Sequence, residues 1–390
     1  MSAIISWSEG EQIHHARWRS ENGISPHQKL VIADDTVSAD TAYRLACEGT
    51  ALLWRGDFQN ARQLLQALAR RLDKPSKKSK RNLKAGKQVS EKSPVDIFNL
   101  HRLARSQRAR ILGMLLVQCE AGHRIALRRA PDIQQACLEA YGPSDETYLV
   151  SLRELLGVIS AHEWRKQGVL IPGLSVAEEI RIHPHYGVFS PIRGEYVDLV
   201  CQAPLPRALA KQSLAFDIGV GTGILSFALA KRGIAKIIAS DQDERALACA
   251  IENRDRLGLR GDIEVVKANL FPEGQAALIV CNPPWLPAKP SSPLEHAVYD
   301  PDSRMLKGFL GGLGEHLLPE GEGWLILSDL AEHLGLRSRQ QLLDWIDQSG
   351  LTVIGRLDTK PKHQKVFDKS DALHTARAAE VTSLWRLARR

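Results

Sequence analysis

The chain has 390 residues, of which 44% are hydrophobic and 25% charged, and this length and composition predict two globular domains rather than one small domain or a disordered chain. No run of about 18 or more apolar residues is present, which excludes a membrane-spanning helix, and we expect no secretory signal in residues 1–20. The net charge is +7, and residues 1–175 carry 26 basic and 18 acidic residues. This excess of positive charge in the N-terminal half indicates either a polyanionic partner such as RNA or a role in solubility alone.

The N-terminal part, residues 1–160, is predicted to be a basic, all-helical domain that recognises the substrate. Residues 1–39 show no clear periodicity and are interpreted as an irregular arm. Apolar residues at helical spacing predict a helix from Asp40 to Leu53. Asp57 is then placed to cap a second helix, which would complete an αα-hairpin.

Residues 74–92 follow this hairpin and are rich in Lys, Ser and Gly. With few apolar side chains to bury, they are predicted to be a flexible loop, either a solvated linker or a tether that contacts nucleic acid. Three further helices are predicted to start at Asp96 and to span 132–141 and 146–157. Three arginines recur along one side of the first of these helices and give it a basic face: Arg102, Arg105 and Arg108.

After a connecting segment, 161–212, the pattern changes to alternating strands and helices, which predicts an α/β fold with a mainly parallel sheet over 213–390. Strands are predicted at 214–219, 236–240, 262–266, 277–281, 323–328, 351–357 and 380–386. Helices are predicted at 222–232, 243–257, 302–317 and 336–349. The last strand follows no helix, so we expect it to enter the sheet antiparallel and to complete seven strands in a doubly wound domain.

Six scattered cysteines form no C-x-x-C pair. They are interpreted as reduced and mostly buried thiols of a cytoplasmic protein. We expect no metal site, since His183 and His185 are the only closely spaced candidate ligands near a cysteine.

A glycine-rich turn, D-I-G-V-G-T-G from Asp217 to Gly223, lies where the first strand meets the first helix. Its glycines, Gly219, Gly221 and Gly223, allow the backbone to turn sharply and to lie against a ligand. The spacing G-x-G-x-G differs from the G-x-G-x-x-G that binds a pyrophosphate, so the ligand need not carry phosphate. An ordinary tight turn between strand and helix is the alternative.

Two polar residues follow the next two strands. Asp241, at the tip of the second strand, is placed to accept both hydroxyl groups of a ribose, and Asp243 is interpreted as the N-cap of the next helix. Asn269, after the third strand, stands where an adenine amino group would be met. Asp241 as a helix-start residue and Asn269 as a turn residue are the structural alternatives.

The fourth strand leads into Asn282-Pro283-Pro284-Trp285. Two prolines fix φ and remove two backbone donors, so the Asn282 side-chain oxygen and the Pro283 carbonyl can both accept hydrogen bonds from one –NH2 group. This would direct the delocalised lone pair of an amide or ring amino nitrogen towards a methyl donor without a strong base. Trp285 would stack on the planar substrate group, with Pro284 beside it. A purely structural turn is the alternative.

The order D-I-G-x-G-T-G, acidic residue at the second strand and N-P-P-[aromatic] resembles the class I, "small-domain" S-adenosylmethionine-dependent N-methyltransferases, which implies a Rossmann-like methyltransferase domain and S-adenosyl-L-methionine as cofactor. The chain is most similar to the release-factor glutamine methyltransferases, whose segment before the first strand is echoed by Pro191–Tyr196 and whose acidic segment is echoed by Asp300–Leu310. Trp285 replaces their usual Tyr, and Asn269 stands where Asp is commoner.

The segment Gly187–Ser190 also resembles a segment of the ribosomal RNA guanine methyltransferases. Together with the likeness to the release-factor methyltransferases, it implies substrate contacts for Phe189 and Arg193.

Three functions follow as expectations. The first is N-methylation of a protein glutamine side chain, on a translation factor or ribosomal protein. The second is N-methylation of an exocyclic amino group in rRNA or tRNA, which the basic half and a basic loop would favour; that loop contains Lys360, Lys362, His363, Lys365 and Lys369. The third is a catalytically silent cofactor-binding scaffold. The sequence indicates no oligomeric state.

Overall fold

The computed structural model describes residues 3–73, 92–174, 179–191, 194–290, 293–361 and 368–390. The chain forms two compact units, one of residues 1–92 and 99–163 and the other of residues 93–98 and 164–390. The flexible loop predicted at 74–92 lies, except for Lys92, outside the described residues.

The first unit is built around a six-stranded sheet, and the prediction of an all-helical domain is wrong. Its strands are β1 (Ile4–Glu9), β2 (Gln12–Arg19), β3 (Lys29–Ala33), β4 (Thr50–Trp54), β5 (Leu115–Cys119) and β6 (Tyr148–Ser151). Its helices are α1 (Ala39–Cys47), α2 (Phe58–Leu72), α3 (Pro94–Leu112), α4 (Gln134–Tyr141) and α5 (Leu152–Gln167); α3 and α5 each have one end in the second unit. The strands lie in the order β1-β2-β6-β5-β4-β3, with β3, β4 and β5 parallel.

The helical prediction failed because the strands are short and buried. The predicted helix 40–53 ends at Cys47, the backbone turns at Gly49 with φ 83°, and Leu52 and Leu53 lie fully buried in β4. A short apolar run of this kind fits a buried strand as well as a helix. Asp57 does cap α2, by accepting the Gln59 N–H at 2.8 Å, but β4 separates the two helices and no αα-hairpin forms.

The supposed irregular arm, residues 1–39, contains three strands. In β1 the side chains of Ile5 and Trp7 are buried and their neighbours are not, and Ala16 and Trp18 alternate in the same way in β2. This is the period of two expected of a strand with one buried face. The first unit is therefore α/β like the second.

The second unit contains a seven-stranded sheet in the order β11-β10-β9-β12-β13-β15-β14. Its strands are β9 (Leu214–Ile218), β10 (Lys236–Asp241), β11 (Ile263–Lys267), β12 (Ala276–Cys281), β13 (Leu317–Ser328), β14 (Leu351–Thr359) and β15 (Thr382–Arg389). Helices lie between them: α7 (Ile224–Lys231), α8 (Glu244–Arg256), α9 (Arg304–His316), α10 (Leu330–His333), α11 (Arg339–Gln348) and α12 (His374–Ala379). Strand β15 runs antiparallel to both of its neighbours, β13 and β14, whereas β9 to β13 pair in parallel.

Helices cover both faces of this sheet. Alternate residues of β12 face opposite sides: Leu278 and Val280 pack with α7 and α8, whereas Ile279 and Cys281 pack with α9 and α11. The chain leaves β11 at one edge and returns through β12 beside β9. The gap between β9 and β12 is thus a topological switch point, the place where ligands bind in open α/β sheets.

The connecting segment 161–212 is structured where it is described. A two-stranded ribbon is formed by β7 (Val169–Leu170) and β8 (Arg181–Ile182). Helix α6 (Glu195–Gln202) buries Tyr196, Val197 and Val200 in the core that also holds α7. From Trp164 onwards this segment therefore belongs to the second unit. In the described part of the chain, no helix is long and apolar enough to cross a membrane.

Phe98, near the start of α3, is 2% exposed and packs in the second unit with Leu286, Tyr299 and Leu334. We expect Phe98→Ala to lower the free energy of unfolding by about 3–5 kcal/mol, because it removes a buried aromatic ring and leaves a void. Leu100→Ala, on the same helix but at a side chain that is 46% exposed, should cost less than about 0.5 kcal/mol. Urea unfolding followed by circular dichroism compares the two, and equal losses would contradict this packing.

Candidate active site

Strands β9 and β12 are hydrogen-bonded neighbours, with Ile218 opposite Cys281. The residues that follow them, Gly219 and Asn282, therefore leave the same edge of the sheet about 4.8 Å apart in the strand-to-strand direction. The glycine turn and the Asn282–Trp285 turn, which lie 60 residues apart in the sequence, are thus adjacent. The sheet topology positions both at the switch point.

The glycine turn has a backbone conformation that residues with side chains rarely adopt. Gly219, Gly221 and Gly223 have φ values of 77°, 53° and 87°, the left-handed region that favours glycine. A Cβ on Gly219 would lie 2.7 Å from Cε of Met305, whereas a Cβ on Gly221 would have only open space around it apart from one backbone oxygen at 4.0 Å. Gly221 therefore presents a bare, accessible backbone on which a ligand can lie.

Asp217, at the end of β9, is buried below this turn. Its Oδ2 accepts hydrogen bonds from the Ser226 N–H at 2.9 Å and the Ser226 hydroxyl at 2.6 Å. Its Oδ1 is buried and, within the described residues, has no hydrogen-bond partner. Burial raises the pKa of Asp217 to about 7, against the lowering effect of the two Ser226 bonds. An unsatisfied carboxylate oxygen of this kind needs a donor or a cation.

Asp241 ends β10 and faces the glycine turn. Its Oδ2 accepts the Gly221 N–H at 3.2 Å and its Oδ1 accepts the Asp243 N–H at 3.0 Å. Each oxygen retains a lone pair for a further donor, and burial raises the pKa of this carboxyl. Asp243 caps α8 as predicted, by accepting the Arg245 N–H at 2.9 Å.

The side chain of Asn269 is exposed. The next residue, Leu270, has φ 71° and its carbonyl accepts the Ser240 hydroxyl at 2.5 Å. This bond holds the 269–270 turn against the end of β10. The role of Asn269 remains a prediction.

The Asn282–Trp285 turn contains a contact that the sequence did not predict. The indole Nε1–H of Trp285 donates to Oδ1 of Asn282 at 2.8 Å. The Trp285 ring is half-buried and packs against the cores on both faces of the sheet. Pro283 is buried and Pro284 half-buried. The predicted acceptor oxygen is therefore held by its own turn, and the ring is anchored rather than free.

The segment after this turn folds back over the glycines. The Asp300 N–H donates to the Leu286 carbonyl at 2.8 Å, and the buried Asp300 carboxylate accepts the N–H groups of Met305 and Leu306 at 3.0 and 3.1 Å. Asp300 thereby caps α9 and places Met305 against Gly219. The acidic segment noted in the sequence has this capping function in the fold.

The buried edge of this site is acidic. Desolvation raises the pKa of the Cys281 thiol well above its usual range, and the charges of Asp217, Asp300 and Asp241 raise it further. Three acidic side chains therefore act on the Cys281 thiol, one residue before the Asn282–Trp285 turn. S-adenosylmethionine carries a sulfonium and an ammonium cation and a ribose, so the acidic surroundings, the unsatisfied oxygen of Asp217 and the bare backbone at Gly221 fit this group.

The residues expected at the substrate side are only partly described. Phe189 is 38% exposed and Ser190 next to it has a buried hydroxyl without a hydrogen-bond partner among the described residues. Arg193 lies outside the described residues. The backbone of His183, earlier in the same segment, is held by α8. The side chain of Asn253 on that helix is 1% exposed; its oxygen accepts the His183 N–H, and its NH2 group donates to the carbonyls of His183 and Thr222.

Sequence reasoning missed Asn253 and Ser226, and it gave Asp300 no positioning role. The signal of Asn253 and Ser226 was weak: each is a single buried polar residue on the buried face of a helix. The basic loop between β14 and β15 does leave the sheet at the same edge as Asn282, since Thr359 and Ser328 both stand opposite Thr382. Lys362, His363 and Lys365 of that loop lie outside the described residues, whereas Lys360 and Lys369 are described.

The pKa of Asp217 leads to a pH prediction. The carboxyl has a pKa of about 7 in the folded protein and 3.8 ordinarily, so the folded protein holds a proton that the unfolded chain loses. The free energy of unfolding of the cofactor-free protein should fall as the pH rises from about 4 to about 7. A cationic cofactor favours the ionised carboxylate, so its affinity should rise as the pH increases towards the pKa of about 7.

Isothermal titration calorimetry with S-adenosylmethionine measures this affinity, and comparing two buffers of different ionisation enthalpy counts the proton released. Asp217→Asn should remove both the pH dependence and the proton release. A dependence that persists in this variant would assign the titration to another group, the amino group of the cofactor included.

Comparisons with known proteins agree with this site. The family model for ribosomal protein L11 methyltransferase (PrmA) matches residues 199–283, from α6 to the start of the Asn282–Trp285 turn. Ribosomal protein L11 methyltransferase of Pelotomaculum thermopropionicum is 34% identical over 85 residues, 21% of this chain and 28% of that protein. That of Caldanaerobacter subterraneus is 25% identical over 214 residues, 50% of this chain and 67% of that protein.

A solved ribosomal protein L11 methylase from Lactobacillus delbrueckii aligns with a TM-score of 0.36 at 17% identity, over 54% of this chain and 85% of that one. The chain therefore spans only 28% of the length of the first of these relatives; the region that the family model matches contains the glycine turn. The family match over residues 199–283 supports a class I S-adenosylmethionine-dependent methyltransferase fold for this part of the second unit, with S-adenosyl-L-methionine as the cofactor. The likeness to the release-factor methyltransferases still rests on the motifs alone.

Proposed function

We propose that this protein is an S-adenosylmethionine-dependent N-methyltransferase that acts on a planar amide nitrogen of a protein, with a glutamine side chain as the acceptor. The observation that carries this proposal is the position of the Asn282–Trp285 turn. It leaves the sheet beside the glycine turn, on neighbouring strands, so that acceptors for an –NH2 group stand next to the site that fits the cofactor.

The residues of the cofactor side have separable roles. Asp241 would accept the ribose hydroxyls, Gly219, Gly221 and Gly223 would line the ligand, and Asp217 would balance its positive charge from below the turn. When bound, S-adenosylmethionine supplies an electrophilic methyl group. The acidic side chains that act on Cys281 would raise the affinity for a cation and favour release of the neutral thioether product.

The substrate side orients the nitrogen. Oδ1 of Asn282 and the Pro283 carbonyl would accept the two N–H bonds of the –NH2 group, which fixes its plane and turns its lone pair towards the methyl group. These acceptors also stabilise the positive charge that develops on nitrogen. The proton then leaves the methylated nitrogen, which is strongly acidic, so no strong base is needed. Trp285, Pro284 and Phe189 would contact the planar group and its surroundings.

A protein acceptor is supported by the relatives, which are named as methyltransferases of a ribosomal protein. A translation factor or ribosomal protein is accordingly the substrate class we propose. The first unit is α/β, so the all-helical recognition domain predicted from the sequence lends no support to this choice.

RNA is the second candidate, and one cluster in the first unit favours it. Arg153 lies near Arg105 and Arg108: desolvation, followed by the charges of those two residues, lowers its pKa. Arg108 also pairs with Asp73 at 3.0 Å. Adjacent arginines that repel each other are suited to bind phosphate groups. The same surface would suit a protein substrate bound to a ribosome, so charge alone does not separate the two.

A labelling experiment separates the candidates. The protein is incubated with methyl-labelled S-adenosylmethionine and a lysate from cells that lack it, and samples are treated with RNase or with protease. We expect the macromolecular label to survive RNase and to be lost with protease. Loss with RNase would establish the RNA alternative, and no label above that of the Asn282→Ala protein would indicate the silent scaffold.

A further inference from the structure

We infer that Trp285 is a positioning residue: its indole N–H fixes the Asn282 carboxamide so that the oxygen, and not the NH2 group, faces the acceptor nitrogen. The inference rests on the proposed function, since it concerns the orientation of the same –NH2 group. It differs from the expectation drawn from the sequence, in which Trp285 serves only as a stacking surface.

The hydrogen bond determines the orientation of the amide. An indole N–H can only donate, so the atom of Asn282 that lies 2.8 Å from Nε1 must be the oxygen. The oxygen keeps a second lone pair for a substrate N–H. If the amide rotated by half a turn, its own NH2 would meet the –NH2 of the substrate, and two donors would face each other.

The two prolines explain why the indole makes this bond. An asparagine side chain commonly accepts the backbone N–H two residues further on, forming an Asx turn. Pro284 occupies that position and has no N–H, and Pro283 has none either. In the sequence Asn-Pro-Pro-Trp the nearest donors therefore belong to residue 285, and the indole takes the oxygen that an Asx turn would otherwise hold. A Tyr or Phe ring at 285 carries no N–H at this place.

Packing makes the contact effective. The Trp285 ring is half-buried between side chains from both faces of the sheet, and a side chain packed in this way is confined to a single rotamer. Anchoring of the donor restricts the acceptor in turn. The indole bond weakens the remaining lone pair slightly, but this effect is small compared with exchanging an acceptor for a donor, so the net effect on transfer is favourable.

The test removes the N–H and keeps the ring. Benzothienylalanine at position 285 replaces the indole N–H by sulfur with almost no change in shape, and Trp285→Phe is a second variant. We expect kcat for methyl transfer to fall by about fivefold, the effect of one neutral hydrogen bond, with the Kd for S-adenosylmethionine unchanged. An unchanged kcat in both variants would overturn the inference.

Asn282→Asp provides the matched background, because both oxygens of a carboxylate accept and its orientation no longer matters. In that background the same change at position 285 should have no further effect on kcat. A double-mutant cycle measures this difference. If the change lowers kcat equally in both backgrounds, Trp285 acts on the substrate by stacking and the inference is overturned.

A readout without activity completes the test. In 15N-labelled protein the Trp285 indole proton, assigned from the Trp285→Phe spectrum, should exchange with water more slowly than it does in the Asn282→Ala protein. Equal exchange rates would overturn the inference whether or not methyl transfer is observed. Slow exchange in a wild-type protein that transfers no methyl group would instead refute the proposed function and leave the positioning contact in place.

Discussion

Replacing Asn282 by Ala should abolish methyl transfer while leaving S-adenosylmethionine binding intact. The substitution removes an acceptor oxygen that a positioned –NH2 group requires, and losing one preorganised group of this kind typically costs 10²–10³-fold in kcat. The cofactor contacts proposed for Asp217, Gly221 and Asp241 lie on β9, β10 and the turn between β9 and α7, so they are unaffected. Single-turnover transfer and calorimetric binding are the two measurements.

The matched control is Asn269→Ala, an exposed amide two residues after β11, the edge strand of the same sheet. It should leave kcat nearly unchanged and alter only the Kd for the cofactor, if Asn269 contacts it. Undiminished turnover in the Asn282→Ala protein would refute the role of the turn. A parallel loss of cofactor binding would show that the substitution damages the whole site.

Asp241→Ala should weaken cofactor binding by about 100-fold or more. Two ribose hydroxyl groups would lose a charged acceptor, and each such hydrogen bond is worth about 1.5–3 kcal/mol. The change also removes the acceptor of the Gly221 N–H, which lies 3.2 Å from Asp241 Oδ2. This N–H would then have lost its partner at the place where the cofactor is expected to lie on the backbone of the glycine turn. Calorimetry with S-adenosylmethionine measures the loss.

Asp243→Ala is the control, since Asp243 lies two residues away and caps α8. It should lower the free energy of unfolding by about 1 kcal/mol, the usual cost of a lost N-cap, and leave the Kd for the cofactor within about twofold, a difference of about 0.4 kcal/mol. The same loss of affinity in both variants would mean that Asp241 acts through local structure. Normal affinity in Asp241→Ala would exclude it as the ribose acceptor.

The second unit could be read from the sequence because each strand is followed by a recognisable stop. Gly219 and Asn282 each follow a strand of mainly apolar residues, Asp241 ends such a strand, and helices of eight or more residues follow β9, β10 and β13. The alternation of strands and helices predicted a parallel sheet, in which the motifs follow the carboxyl ends of the strands. Two of these motifs follow β9 and β12, which are neighbours in the sheet.

The first unit could not be read in this way. Its strands are four to eight residues long and abut helices directly: β6 ends at Ser151 and α5 begins at Leu152. Apolar residues of a strand and of the adjoining helix then merge into one apparent helical stripe, as happened from Asp40 to Leu53. Periodicity cannot separate the two where a strand is fully buried.

The sequence likewise predicts only part of the candidate site. The roles of Asn282 and Pro283 follow from their own chemistry, so the sequence indicates them. The Trp285–Asn282 bond depends on the rotamer of a packed ring, and the capping of α9 by Asp300 depends on how a loop folds back. Both arise from tertiary packing, which no local pattern encodes.

The central claim is that the acceptor is a planar amide nitrogen, and the chemical identity of the methylated group tests it most directly. Acceptor labelled with methyl-labelled S-adenosylmethionine is isolated and hydrolysed in strong acid. An N-methyl amide is predicted to release its label as volatile methylamine, with peptide mass spectrometry placing the methyl group on a glutamine side chain. Label that stays on a non-volatile methylated amino acid, such as an N-methylated lysine, would contradict the claim.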